Sequence, residues 1–349
     1  MIRKLMLFMT MMIIVSACSS GSGTPYRIVY SMDTQQTTSE AVPDSSLQDQ
    51  RYSVAIIPKG TEIDYFTVAA EGAQEAANDL DIDVMFEGPK TADVSGQIEV
   101  IDSMIQRHVD LIAVSANDPE ALIPVLEKAR QAGIKVISWD ADADPQVRDF
   151  YVNMVDPETL GRHLMDTLAN AMGEKGNFAI LTGAISASNL SDWLKWIQVQ
   201  HKAYYPEMNL VKVVATDDNL TKAGEVAKQL LAEHPELNGI IGNSSVGFLS
   251  AANAVKDAGK AGAVKVVGLS NPNFTRSYLN EGTVQMATLW SPKKLGYLTV
   301  VLANNLLNGV RPADGQDIPK VGKIRVVGDM VIMGEPLDFS KENVNQYDF

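Results

Sequence analysis

The chain has 349 residues, 46% of them hydrophobic and 21% charged, an ordinary globular composition with length enough for two domains. Its formal net charge of -14 argues against nucleic acid and anionic membrane surfaces as partners, because both recruit basic patches. A single cysteine, Cys18, excludes an internal disulfide framework and a multi-cysteine zinc site.

At the N-terminus, Arg3 and Lys4 precede an apolar stretch over residues 5–15. It has the length of a signal peptide and is too short to span a bilayer comfortably. "VSACSS" follows, which resembles the bacterial lipobox, where the cysteine is lipidated and begins the mature protein. Residues 1–18 are therefore expected to be a lipoprotein signal peptide, with Cys18 as the lipidated residue. Residues 19–50 are polar and rich in Ser, Thr, Gly and Gln. They read as a flexible tether with an r.m.s. reach of about 30 Å. A folded domain held this way would work outside the cytoplasmic membrane while tied to it.

From Tyr52 onward strands alternate with amphipathic helices. "YSVAIIP", "DIDVMFE", "DLIAVSA" and "KVISWD" predict strands, separated by helices over "FTVAAEGAQEAANDL", "GQIEVIDSMIQRH" and "DPEALIPVLEKARQAG". The same order then repeats. Strands "NFAILTG", "NLVKVVAT", "NGIIGNS" and "VKVVGLS" alternate with helices "SDWLKWIQVQHKAYY", "KAGEVAKQLLAEH" and "GFLSAANAVKDAG". Repeated βα predicts parallel sheets covered on both faces. The fold class is therefore α/β, as two doubly wound parallel-sheet lobes joined by a three-strand hinge. Lobe 1 is expected over 51–154 plus 291–312, and lobe 2 over 155–290 plus 313–349. The chain would cross near 145–156, near "MATLWSP" (286–292) and near 312–326.

In open parallel sheets ligands sit beyond the carboxyl ends of strands. "VISWDADAD" places Asp140 and Asp142 there. The acids do not begin a calcium loop, since Pro145 stands where Gly is required and Tyr151 where Glu is required. A carboxylate accepts several hydrogen bonds at once, which suits ligand hydroxyls. Lys59, past the first strand, could keep such an acid ionised. Tyr65 and Phe66 offer flat faces for the C–H side of a sugar ring, although either could equally be core. Asn117 in "SANDPEAL", Asn189 in "SNLSDW", Asn243 and Ser245 in "GNSS", Asn271 in "GLSNPN" and Trp290 in "LWSP" complete the candidates. Trp193 and Trp196 share a helix face, so core packing is expected for at least one. The four histidines have no metal-pair spacing, and no G-x-S-x-G elbow, P-loop or G-x-G-x-x-G after a strand occurs. No enzymatic activity, metal or cofactor is expected.

"IPK" with "YF" six residues after the lysine, "SANDPEAL", "VISWD", "SNLSDWLKW" and the ending "KENVNQYDF" together resemble one family. It is the substrate-binding lipoproteins of bacterial sugar ABC importers, in the branch holding rhamnose-binding proteins and the autoinducer-2 receptor. The resemblance covers residues from about 52 to 349. It implies the periplasmic binding protein type 1 fold, a monomer with an extracytoplasmic location, and the importer's membrane subunits as partners. It implies ligand contacts by Lys59, Tyr65, Phe66, Asp140 and Asn189. Autoinducer-2 receptors carry Asp-Gln in place of Asn189-Leu190, and Pro and Ala in place of Asn243 and Ser245, which weakens that reading. Rhamnose-type members resemble the chain better, though Leu190 and Asn243 depart from them too. A rhamnose-like sugar is thus expected first. The alternatives are an autoinducer-2 receptor or a sugar sensor for a membrane kinase.

Overall fold

In the computed structural model, which describes residues 51–349, the short apolar runs become strands sheathed by helices. The first half runs β1 (Ser53–Ile57), α1 (Asp64–Leu80), β2 (Asp83–Phe86), α2 (Val94–Gln106), β3 (Leu111–Val114), α3 (Ile123–Gln131), β4 (Lys135–Trp139) and β5 (Tyr151–Asn153). The second runs α4 (Pro157–Met172), β6 (Gly176–Thr182), α5 (Ser188–Tyr204), β7 (Met208–Ala215), α6 (Leu220–Glu233), β8 (Leu237–Gly242), α7 (Ser245–Asp257), β9 (Lys265–Leu269), α8 (Pro272–Glu281) and β10 (Met286–Leu289). The chain closes with α9 (Pro292–Leu307) and short strands β11 (Asp317–Ile318), β12 (Gly322–Lys323), β13 (Arg325–Val327), β14 (Met330–Ile332) and β15 (Leu337–Phe339). Cys18 and the polar stretch lie outside the described residues.

Two sheets result, ordered β13-β14-β5-β4-β3-β1-β2 and β15-β10-β9-β8-β6-β7. Within each, the parallel strands follow one plan: second, first, third, fourth, fifth. The order reverses between β1 and β3 in one lobe and between β6 and β8 in the other. Helices leave on opposite faces at such a point and open a crevice beyond the strand ends. Central strands buried on both faces read as continuous apolar runs: Val54 to Ile57 of β1, Leu111 to Val114 of β3 and Ile240 and Ile241 of β8 are wholly buried.

Two helices carry signals that the periodicity reading passed over. Asp156 caps α4 by accepting from the Thr159 backbone N–H, Pro157 occupies its first turn, and left-handed Gly173 ends it. α8 likewise starts on proline and stops at Gly282. Both show the N-terminal proline and C-terminal glycine asymmetry of helices. Helix α3 begins at Ile123, later than "DPEAL" suggested, because the Asp118 carboxylate accepts from the backbone N–H of Glu120 and Ala121 and holds those residues in a turn.

The expected lobe boundaries need one correction. The sequence places residues 313–349 in the second lobe, yet β14 pairs parallel with β5 (Met330 with Tyr151, Val331 with Val152, Ile332 with Asn153) and β13 pairs with β14. The hairpin therefore extends the first sheet and buries Val331 and Ile332 there. The third crossing falls at residues 333–336, not near 312–326, and only β15 joins the second sheet, antiparallel to β10. Crossings one and three lie side by side: the Met333 N–H donates to Asn153 O and the Gly334 N–H to Met154 O.

Candidate functional site

Pro58 follows β1 directly, and at Lys59 the chain turns into the crevice between β1 and β3. The Asn117 amide donates to Lys59 O at 2.9 Å, and Gln97 holds the same corner by donating to Pro58 O and Ser115 O. The Lys59 side chain is buried, with its Nζ 3.8 Å from Asp140 Oδ2. Asp140 leaves β4 with a left-handed backbone, φ 60, a conformation that aspartate tolerates better than most residues. Its N–H donates to Val152 O, and the Tyr151 hydroxyl donates to its carbonyl at 2.6 Å. Ser115 Oγ donates to its carboxylate at 2.7 Å. Burial raises the Asp140 pKa from the ordinary 3.8 despite Lys59 and Ser115. This carboxylate is under-solvated, and further donors would stabilise it.

Aromatic rings wall the space beside it. Tyr65 and Phe66, in the first turn of α1, meet edge to face at 5.0 Å. Phe66 also packs on Trp139, and Tyr65 on Trp290. The Trp290 Nε1–H donates to the Tyr65 hydroxyl at 2.9 Å. Burial first, and the Asp140 charge second, hold the Tyr65 phenol well above its ordinary 10. Trp193 packs against Trp290 from the second lobe, and its buried Nε1–H has no partner among the described residues.

The second lobe supplies Asn189, Leu190, Ser244, Ser245 and Asp218, which close a chamber of about 50 Å³ with Lys59, Tyr65, Phe66, Asp140 and Trp290. Asn189 stands one residue inside α5, and Ala187 rather than Asn189 occupies the cap position. The sequence reading missed Asp218. It lies past the carboxyl end of β7, left-handed at φ 48, and its charge reaches Asp140 across the chamber. Gly183 admits it, since a Cβ there would stand 2.2 Å from Asp218 Oδ1. The missed signal was "VVATDDN", a strand running into carboxylates as "VISWDADAD" does. Ser115, Ser244 and Trp193 were also passed over; a serine or a tryptophan carries no local mark of facing a cleft.

Four expected contact residues do not line this chamber. Asp142 turns to Arg148, which grips it through Nε and Nη2 at 2.6 and 2.7 Å, and Ser138 also donates to it. Arg148 Nη1 reaches Asp329 at 2.6 Å, so these groups tie the β4–β5 loop to the β13–β14 turn. Asn117 is spent on positioning Lys59, as above. Asn243 is wholly buried and donates to Thr182 Oγ1 and Leu190 O, bracing the start of α5. Asn271 lies farther out in the cleft.

On one rim the lobes touch. Ser186 Oγ donates to Asn117 O at 2.9 Å, and the Asp142 N–H donates to Ser188 Oγ at 2.8 Å. The lobes are thus closed on each other along this edge. Among the described residues no group of His, Cys, Asp and Glu could hold a metal ion, and no helix is long and apolar enough to cross a membrane.

An ABC transporter solute-binding protein of Clostridium phytofermentas, solved with bound L-rhamnose, superposes with a TM-score of 0.81 at 28% identity, covering 85% of this chain and 98% of that one. LsrB of Clostridium saccharobutylicum in complex with AI-2 also gives 0.81, at 26% identity, covering 85% of this chain and all of the other. In sequence, the D-ribose/D-allose-binding protein of Pseudomonas aeruginosa is 28% identical over 274 residues, which span 76% of this chain and 85% of that protein. These relatives are binding proteins, not enzymes. Residues 54–310 match the model of the periplasmic binding protein domain. A paired-lobe sheet plan, a chamber built from both lobes and that match lead to one assignment: the chain belongs to the periplasmic binding protein domain family, whose members are extracytoplasmic.

Proposed function

We propose that the chamber captures an uncharged, rhamnose-like sugar and that the closed protein hands it to the membrane subunits of an ABC importer. The observation that carries this reading is the pair of opposed acids, Asp140 from one lobe and Asp218 from the other, with one cation, Lys59, between aromatic walls. Two carboxylates facing each other repel, so closure without a ligand is opposed. A polyol reverses this by donating hydroxyl hydrogens to both acids while Lys59 and Asn189 donate to its oxygens. Its contacts exist only when both lobes are engaged, and a ligand shifts an equilibrium only by such differential contacts. The C–H face of the ring rests on Tyr65, Phe66 and Trp290. Lipidation at Cys18 would hold the protein at the outer face of the membrane; metabolic labelling with a fatty acid, lost in Cys18→Ser, tests that point.

A second reading, autoinducer-2, is favoured by the equal superposition of the AI-2-bound neighbour and disfavoured by Asn189 and Ser245, where autoinducer-2 receptors resemble the chain less than rhamnose-type members do. One thermal-shift panel separates the readings: L-rhamnose, D-ribose, D-allose and autoinducer-2. A ligand at a hundred times its Kd stabilises by about 2.7 kcal/mol, a rise in melting temperature of several degrees at this size. We expect rhamnose to give the largest rise. If no sugar shifts the melt, the proposal falls; if autoinducer-2 alone does, the second reading replaces it.

A further inference from the structure

Next to the small chamber lies a larger one, of about 240 Å³, that shares Tyr65, Asp218, Ser245 and Val246 with it. The two are therefore joined side by side across the interlobe cleft, away from the rim sealed by Ser186 and Ser188. The wall of the larger space holds two of the buried polar atoms left without a partner among the described residues. Ser270 and Asn271 are wholly or almost wholly buried in its wall, and Ser270 Oγ and Asn271 Oδ1 have no partner among the described residues. Asn271 sits at the cap position of α8, yet its side chain makes no capping bond. A buried polar atom without a partner is costly, so these two are placed to bond a group that enters the space. Phe274, 40% exposed, and Leu220, 63% exposed, flank the opening. Large apolar side chains left this exposed beside a polar cavity supply the surface on which a ring can lie.

The charge around the larger space is mixed. Glu62, Asp64 and Asp218 face it alongside Lys90. The starts of α6, α7 and α8 also converge on it, and helix N-termini oppose a positive charge. The acids repel an anion, while Lys90 and the helix ends disfavour a cation. What fits is an uncharged group with hydroxyls, large enough to fill a space several times the size of the inner one.

We infer that the solute is longer than one sugar ring: the inner chamber takes a terminal ring, and the outer chamber takes a second uncharged residue or aglycone that bonds Ser270 and Asn271 and lies on Phe274. This rests on the cleft being the solute site. The test is calorimetry on the full mature protein with L-rhamnose, D-ribose and D-allose, each beside its methyl glycoside, its phenyl glycoside and a disaccharide ending in the same sugar. At least one extended ligand should bind ten times or more tighter than its parent sugar. Phe274→Ala, a change at an exposed position that leaves the fold intact, should remove that advantage while moving the parent sugar's affinity by less than twofold. Parent sugars that bind while every extended form binds equally or more weakly would overturn this inference and leave the proposed function standing. An advantage that survives in Phe274→Ala would overturn the placement of the second group. Binding by no carbohydrate in the panel would overturn both.

Discussion

Asp140 is held by its backbone as much as by its charge: Tyr151 and Val152 fix its main chain, Ser115 and Lys59 its carboxylate. Asp140→Asn keeps the shape and removes the charge. Hydrogen bonds to a charged acceptor are worth about 1.5–3 kcal/mol against about 1 for neutral pairs. We expect sugar affinity to fall at least tenfold by calorimetry while the far-UV spectrum is unchanged. An unaltered Kd would remove the carboxylate from the proposed contact set. The raised pKa adds a pH test with two opposite slopes. In the folded protein Asp140 holds its proton more tightly than in the unfolded chain, so as pH rises from the ordinary 3.8 through the raised value, this group lowers the stability of the unliganded protein. Ligand affinity rises over the same interval, because only the ionised form accepts fully. Both trends should flatten in Asp140→Asn, followed by thermal melts and by titrations at stepped pH.

At the scale of elements, α1 and α9 pack so closely that their glycines meet backbone: a Cβ at Gly72 would stand 1.8 Å from Lys293 O, and one at Gly296 would stand 2.0 Å from Ala69 O. The helices must part to admit a side chain. We expect Gly296→Val to cost about 2 kcal/mol or more, read as a lower urea midpoint with an unchanged slope. Elsewhere α4 is pinned to the edge strand β15 by His163 Nε2, 2.8 Å from Asp338 Oδ1. The aspartate bond raises the His163 pKa from the ordinary 6.5, while the hydrogen bonds from His163 and Thr288 outweigh burial and lower that of Asp338. A raised histidine pKa contributes stability in full below 6.5, and that contribution is lost as pH rises through the folded value. With about a third of each side chain exposed, solvent screening limits the effect to roughly 1 kcal/mol. Melting temperature should therefore decline from pH 6 to pH 8 more in the wild type than in His163→Gln. Equal declines would show that the pair contributes nothing.

For the whole molecule, the quantity that matters is the balance between open and closed lobes. Ser186 and Ser188 latch the closed form through Asn117 O and the Asp142 N–H, and each such bond is worth about 1 kcal/mol. Removing both in a Ser186→Ala, Ser188→Ala double variant should shift the unliganded protein toward open forms. Sugar affinity should weaken about three- to tenfold through a faster off-rate, and small-angle scattering should record a larger radius of gyration without ligand and the wild-type value with it. An unchanged off-rate would mean that the ligand alone sets closure.

Much of this protein is written locally. The βα alternation, the two lobes, and the placing of Lys59, Asp140 and Asn189 at strand or helix ends follow from apolar periodicity, because a strand's burial pattern and a helix's start signal lie within a few residues. The tertiary structure alone decided the rest. Asp142 turned away from the chamber because Arg148 binds it together with Asp329, 181 residues further on; the β13–β14 hairpin joined the first sheet because β5 had a free edge; and Asp218 became the counterpart of Asp140 because the second lobe folds over the first. Each of these depends on which distant groups meet, and a pattern of neighbouring residues carries no record of that.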